Sequence, residues 1–375
     1  MHVNHLLDHR DPRLLAGDIY WQVDNYRTVS KIAAFEQAQG DVGRVRFCFM
    51  ENSWQGLDYS REPTHTWEEL LLLRCQRLRD KYHHLALMYS GGWDSHTILL
   101  AFIRNKIHLD EILIWDKRSF MPEPELESAV QTARSLIDQH GLKTKLHVYE
   151  IPWNIHGEVF KSAGENWIYL PGAATAFNRT HRIIQQHAMP SFLELRKPGD
   201  SVGYIEGVDK PYVFLSHGQW QTYHPDDNMV SYVGCDSVLF YFAPDLPELH
   251  VKQVHMSIRW LEQILKTTPK ANKQLALELQ QWQHPLYPQW NQHIGRECGP
   301  NPSAWTGGLK GGMLEGPKKQ EMLALLDHTI RHDRQVFDIY WQGLCRIRDL
   351  INYDVTENPL PCINSTYRYV RNFQK

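Results

Sequence analysis

Ser90-Gly91-Gly92-Trp93-Asp94-Ser95 has the residue types and spacing best suited to chemistry. Adjacent glycines let backbone amides approach an anion with no Cβ in the way. Two hydroxyls and a carboxylate flank them. An apolar run, Leu85-Ala86-Leu87-Met88-Tyr89, precedes the stretch, and Thr97-Ile98-Leu99-Leu100-Ala101-Phe102-Ile103 follows it. That order reads as a buried strand, a tight turn and a helix. A helix N-terminus adds amide donors and partial positive charge, so the product is a phosphate cradle. The chain contains no G-x-x-x-x-G-K-[ST] and no dinucleotide fingerprint at this turn, which excludes two other phosphate loops.

The pattern S-G-G-x-D-S resembles the PP-loop of the ATP pyrophosphatase superfamily, which includes asparagine synthetase, GMP synthetase, NAD synthetase and tRNA-lysidine synthetase. The resemblance covers roughly residues 67–260. It implies that Ser90, Gly91, Gly92, Trp93, Asp94 and Ser95 hold the β- and γ-phosphates of ATP, with Asp94 orienting Mg²⁺. It also implies that a substrate oxygen attacks the α-phosphate, giving an adenylylated intermediate and pyrophosphate. Trp115 and Asp116, at the end of the next strand, then lie near the adenosine. Within the superfamily the chain resembles the asparagine synthetases. Those that use glutamine carry a catalytic cysteine at position 2, where this chain has His2. The glutaminase half is therefore expected to be absent, with ammonia or another amine delivered directly. The helix feeding the loop also resembles asparagine-synthetase-like proteins of bacterial viruses.

A second constellation is Gly203-Tyr204-Ile205-Glu206-Gly207-Val208-Asp209-Lys210-Pro211. Glu206 or Asp209 could hold Mg²⁺, which needs only one or two carboxylates beside phosphate oxygens. Lys210 could neutralise departing pyrophosphate as a point charge. In asparagine synthetases an acidic glycine loop and a lysine serve these ends, and the match here is partial. A solvated hairpin turn is the competing reading. Arg179, in Asn178-Arg179-Thr180-His181-Arg182, could clamp a phosphate or an acidic substrate. An exposed helical face explains it equally well.

Other polar groups read more blandly. His217, His224, Asp226 and Asp227 fall in what reads as a polar loop. His328 and His332 have helical metal spacing but lack the H-E-x-x-H glutamate, so they read as surface residues. Lys310, within Thr306-Gly307-Gly308-Leu309-Lys310-Gly311-Gly312, belongs to a lid or an interdomain linker.

The elements that must position these groups alternate. Thr66-Trp67-Glu68-Glu69 has a capping-box form and predicts a helix from 67 to 81. Its cations Arg74, Arg77, Arg79 and Lys81 suit the dipole of the helix end. A strand from 111 ending at Asp116, a helix from 123 to 140 closed by Gly141, and a strand from 146 to 151 follow. This β-α-β-α-β order predicts an α/β fold, a parallel sheet with helices on both faces. Ligands of such sheets sit beyond the carboxyl ends of the strands, where residues 90–95, Asp116 and Trp153-Asn154 fall. Past residue 250 the pattern is mostly helical. Met322, Leu326, Ile330, Phe337, Tyr340, Trp341 and Leu344 mark an amphipathic helix. The expected divisions are a mixed N-terminal segment (1–65), the PP-loop domain (66–255) and a helical C-terminal region (256–375).

Composition narrows the partners. The 375 residues carry 40 basic and 43 acidic side chains, a net charge of −3. No overall basicity advertises nucleic acid. A nucleic-acid modification enzyme remains an alternative if Arg74, Arg77, Arg79, Lys81 and Arg104 cluster, and a non-catalytic ATP-binding protein is a third. Six scattered cysteines without a C-x-x-C pair argue against a local zinc or iron–sulfur site. No spanning apolar run and no leader pattern are seen. The expectation is a cytoplasmic protein (in the host cytoplasm, if viral) that acts on small acid and amine substrates with ATP and Mg²⁺.

Overall fold

The computed structural model describes residues 19–54, 56–116, 118–119, 126–151, 153–170, 199–207, 212–224, 236–267, 332–351, 365 and 368–373. Near the N-terminus, β1 (Ile19–Val23), β2 (Tyr26–Thr28) and β3 (Arg46–Phe49) form an antiparallel sheet in the order β2-β1-β3. Helix α1 (Lys31–Gln37) starts where Ser30 Oγ accepts from the Ala33 amide, and the short α2 (Glu51–Trp54) follows β3. Helix α3 (Trp67–Lys81) has the expected bounds. Thr66 Oγ1 accepts from the Glu69 amide, and Glu69 accepts from the Thr66 amide at 2.7 Å.

The chain then builds β4 (His84–Met88), α4 (Trp93–Arg104), β5 (Glu111–Asp116), α5 (Leu126–His140), β6 (Lys145–Glu150) and α6 (Trp153–Ala163). Strand β7 (Val202–Glu206) is followed by a hairpin of β8 (Tyr212–Ser216) and β9 (Gln219–Tyr223), then by β10 (Asp236–Leu239). Helices α7 (Pro247–Thr267) and α8 (Arg334–Ile351) precede the last strand, β11 (Arg368–Asn372), which pairs with β9.

Five of these strands form one all-parallel sheet in the order β10-β7-β4-β5-β6. Period-two alternation sends Leu85, Leu87, Ile112, Ile114 and Ile205 to one face, under α3, α4 and α5. Ala86, Leu113, Trp115 and Tyr204 go to the other, where Phe160 of α6 and Tyr340 and Leu344 of α8 cover them. Helices thus lie on both faces, as the sequence predicts. Phe35, Phe47 and Trp54 belong to the second layer, so the N-terminal segment shares its core with the sheet.

Helix α7, continuous over 21 residues, runs across residue 255. The mostly helical C-terminal region supplies α8 and one strand, β11. Among the described residues, no helix is long and apolar enough to cross a membrane.

Strand order sets the position of the site. From β4 the chain adds β5 and β6 on one side, then returns to lay β7 and β10 on the other. The connections that leave β4 and β7 run to opposite sides of the sheet, and such a switch point opens a crevice at the carboxyl ends of the two strands.

Candidate functional site

Residues 90–95 occupy that crevice, between the end of β4 and the first turn of α4. Tyr89 is still held to the sheet, its amide donating to Leu113 O at 2.9 Å. Gly91 then takes φ +75°, a region costly for side-chain-bearing residues, and a Cβ there would lie 2.8 Å from Ala129 Cβ on α5. Gly92 is the N-cap of α4, and no side chain caps the helix. An uncapped helix N-terminus behind a glycine turn is suited to an anion.

The loop is cross-braced by its serines. Ser95 Oγ donates to Gly92 O and accepts from the Ser90 amide, each at 3.2 Å. Its single proton being used, Ser90 Oγ must donate to Ser95 Oγ across their 3.2 Å contact. Ser90 Oγ in turn accepts from the Gly92 amide. The hydroxyls therefore brace the turn in a fixed shape and engage the Ser90 and Gly92 amides within it.

Beneath the loop, Tyr89 OH and His96 Nδ1 lie 2.8 Å apart. Burial pushes His96 down to about 4, so the ring is neutral near pH 7 and adds no charge behind the cradle. The same burial raises the Tyr89 phenol above its ordinary value.

Asp94 follows in the first turn of α4, with Oδ1 shielded from solvent. Glu206 ends β7 opposite Met88 of β4 and is 6% exposed. Its neighbour Gly207 touches the Asp94–Ser95 peptide so closely that a Cβ would sit 2.8 Å from Ser95 N. The structure therefore brings Asp94 and Glu206 to one corner of the sheet. Two carboxylates beside an uncapped helix N-terminus offer the hard oxygen donors that Mg²⁺ takes. Among the described residues, no group of three or more metal-ligating side chains forms a self-sufficient metal cage.

This placement overturns the hairpin-turn reading of 203–211 for its first half, because β7 is a buried inner strand of the sheet. Asp209, Lys210 and Arg179 lie outside the described residues, as do Asp226, Asp227, His328 and 306–312. Trp93 begins α4.

Trp115 and Asp116 do reach the end of β5, beside the loop, but their side chains have other partners. The Trp115 ring packs into the core, edge-on to Tyr149. Arg118 donates Nε and Nη2 to the Asp116 carboxylate, the latter at 2.7 Å, and the Arg118 amide donates to Oδ1.

Sequence reasoning missed a strap after β10. The Phe240 amide donates to Glu206 O at 3.1 Å, and Tyr241 OH donates to Asp94 O at 2.8 Å. Arg74 fixes the strap from α3, donating Nε to Phe240 O, Nη2 to Leu239 O and Nη1 to Asp245. Arg74 reads as an exposed dipole partner in sequence but is buried. Its mid-helix position beside Leu70, Leu71 and Leu78 was the available signal.

That change also weakens the basic-cluster idea. Arg79 pairs with Asp110 at 2.6 Å, and Lys81 lies over the Tyr82 ring. The supposed polar loop around His217 is likewise corrected to the β8–β9 hairpin, turning at His217 (φ 49°) and Gly218 (φ 76°). His224 at its end is buried in aromatic rings, while His332 is exposed. No known protein family matches this sequence, and no curated protein does so either.

Proposed function

We propose that the chain is an ATP-dependent, AMP- and pyrophosphate-forming ligase of the PP-loop, asparagine-synthetase-like kind. In this reading residues 90–95 seat the β- and γ-phosphates of ATP, and the end of β5 at Trp115 and Asp116 borders the nucleoside. Asp94 and Glu206, with Asp209, hold Mg²⁺, which when bound neutralises phosphate oxygens. A carboxylate or amide-type oxygen of the substrate attacks the α-phosphorus, and pyrophosphate leaves. Ammonia or an amine then attacks the activated carbon, its proton is lost, and AMP departs. Lys210 and Arg179 balance the charge that develops. Such chemistry depends mainly on positioning and electrostatics.

One observation supports this reading above the others. An uncapped helix N-terminus behind an S-G-G-x-D-S turn lies at a switch point, with a second carboxylate on the adjacent strand. The scattered thiols, three of them unpaired in the described residues, suit the reducing cytoplasm that this function assumes. The test is product analysis of α- and γ-labelled ATP with Mg²⁺, with and without a cell metabolite extract. Extract-dependent AMP plus pyrophosphate is expected. ADP plus phosphate would reject the mechanism. Turnover that needs nucleic acid in the extract, and falls with salt, would move the acceptor to a nucleobase.

A further inference from the structure

Tyr89 and His96 flank the turn of residues 90–95, and their side chains meet beneath it. Each is also fixed through its backbone. The Tyr89 amide donates to Leu113 O at 2.9 Å, and the His96 amide donates to Gly92 O at 3.0 Å, closing the first turn of α4. The phenol oxygen lies 2.8 Å from His96 Nδ1, and both residues are 2% exposed. In such an interior a hydrogen bond is electrostatically stronger than in water, and a donor or acceptor left unmet is costly. The contact therefore ties the end of β4 firmly to the start of α4.

Counting protons shows which atom donates. A neutral imidazole carries one N–H, and a phenol carries one O–H. Burial keeps both groups un-ionised near pH 7, pushing His96 down to about 4 and the Tyr89 phenol up. If Nδ1 held the imidazole proton, it would donate to the phenol oxygen. The phenol proton and the Nε2 lone pair would then both be buried unmet, since Nε2 has no hydrogen-bond partner among the described residues. If the phenol donates to Nδ1, only the Nε2 proton is unmet. The second arrangement leaves one polar function orphaned and the first leaves two. Tyr89 is thus the donor, and His96 is the Nε2–H tautomer.

We propose that His96 is a positioning residue of the nucleotide site: the hydrogen bond it accepts from Tyr89 fixes the separation of β4 and α4 at which residues 90–95 fit the terminal phosphates. The proposal rests on the ATP reading of the loop. The serine hydroxyls tie one loop residue to another, whereas the Tyr89–His96 bond ties the strand to the helix. Gly91, at φ +75° with Ala129 against its Cα, takes its place between these two anchors. No charge accompanies the brace. It sets the shape that an anion meets and leaves the field unchanged, so its effect is pre-organisation, which raises affinity by lowering the cost of ordering the loop.

The test uses the full chain and follows tautomer and affinity together. In ¹⁵N spectra of histidine-labelled protein near pH 7, His96 should be the Nε2–H form, and Tyr89→Phe should shift its Nδ1 signal. By calorimetry, Tyr89→Phe and His96→Leu should each weaken Mg²⁺–ATP about threefold to tenfold, the reach of one hydrogen bond, while AMP affinity changes little. The double variant should lose no more than either single one, since both remove the same bond. His96→Asn, whose Oδ1 stands near the place of Nδ1 and accepts from Tyr89, should recover most of the ATP affinity. Tyr89→Phe, the milder change, carries the test should His96→Leu not fold. A wild type that binds ATP no better than AMP would overturn the ATP reading and this proposal with it. A wild type that prefers ATP, with that preference undiminished in Tyr89→Phe, would overturn the proposal alone. An Nδ1–H tautomer, or ATP and AMP affinity falling together in every variant, would do the same.

Discussion

Acid should unfold this protein through His224 and His250, whose buried rings lie 4.8 Å apart centroid to centroid, and His250 allows the effect to be sized. Its folded-state value is about 3, with desolvation the main cause and Arg368 the second. An unfolded histidine titrates near 6.5. The folded value lies below the unfolded one, so the unfolded state takes up the proton first. Stability is therefore undiminished above about pH 6.5, falls as pH drops below it, and stops falling from this group below about pH 3. Between about 6.5 and 4 lie about 2.5 units at about 1.4 kcal/mol each, or about 3 kcal/mol for His250 alone. His224 acts in the same direction. The assay is urea unfolding of the wild type and of His250→Phe, which keeps a ring in place, at about pH 7 and about pH 4. Carboxylates such as Glu62 and Asp110, held low by their cationic partners, also lose stability in acid, but equally in both proteins. The wild type should lose about 3 kcal/mol more than the variant over this range. Equal losses would refute the claim that His250 is neutral and buried without a compensating acid.

Three further substitutions probe the site. Gly207→Ala places a Cβ 2.8 Å from Ser95 N and should push β7 off the first turn of α4, so nucleotide affinity measured by calorimetry should fall without loss of any ligating side chain. Tyr241→Phe removes the hydrogen bond to Asp94 O and should cost about 1 kcal/mol in urea unfolding, with a larger proportional loss in nucleotide affinity. Arg74→Met strips donors from two buried carbonyls and Asp245, and should lower stability by about 3 kcal/mol; a melting point unchanged from wild type would show that the strap is held by other means.

Much of this was legible in the sequence wherever local chemistry dominates. The Thr66–Glu69 capping box gave the start of α3 to the residue, and the continuous apolar run of β5 marked a strand buried on both faces. The glycine turn of 90–95 could be read because few residues tolerate the backbone that Gly91 adopts. Strand β7 was harder. Gly203 and Glu206 break its apolar run, and what makes it a strand is pairing with β4 and β10, which is non-local. The same reason hides Glu206, whose burial comes from elements far apart in sequence. The β8–β9 hairpin left a usable trace, since Val213 and Leu215 alternate before His217-Gly218, and Trp220 and Thr222 after it. The inward turn of His224 and Arg74 left little trace, because charge-bearing residues are mostly exposed and only the tertiary contacts reverse that here.

The central claim is that residues 90–95 receive the terminal phosphates of ATP. Calorimetric titration of the full chain with Mg²⁺–ATP and with AMP, beside Asp94→Ala, tests it most directly. The account expects ATP to bind at least about tenfold tighter than AMP, and that preference to vanish in a folded Asp94→Ala protein. Equal affinity for ATP and AMP, or an ATP preference unchanged in Asp94→Ala, would contradict it.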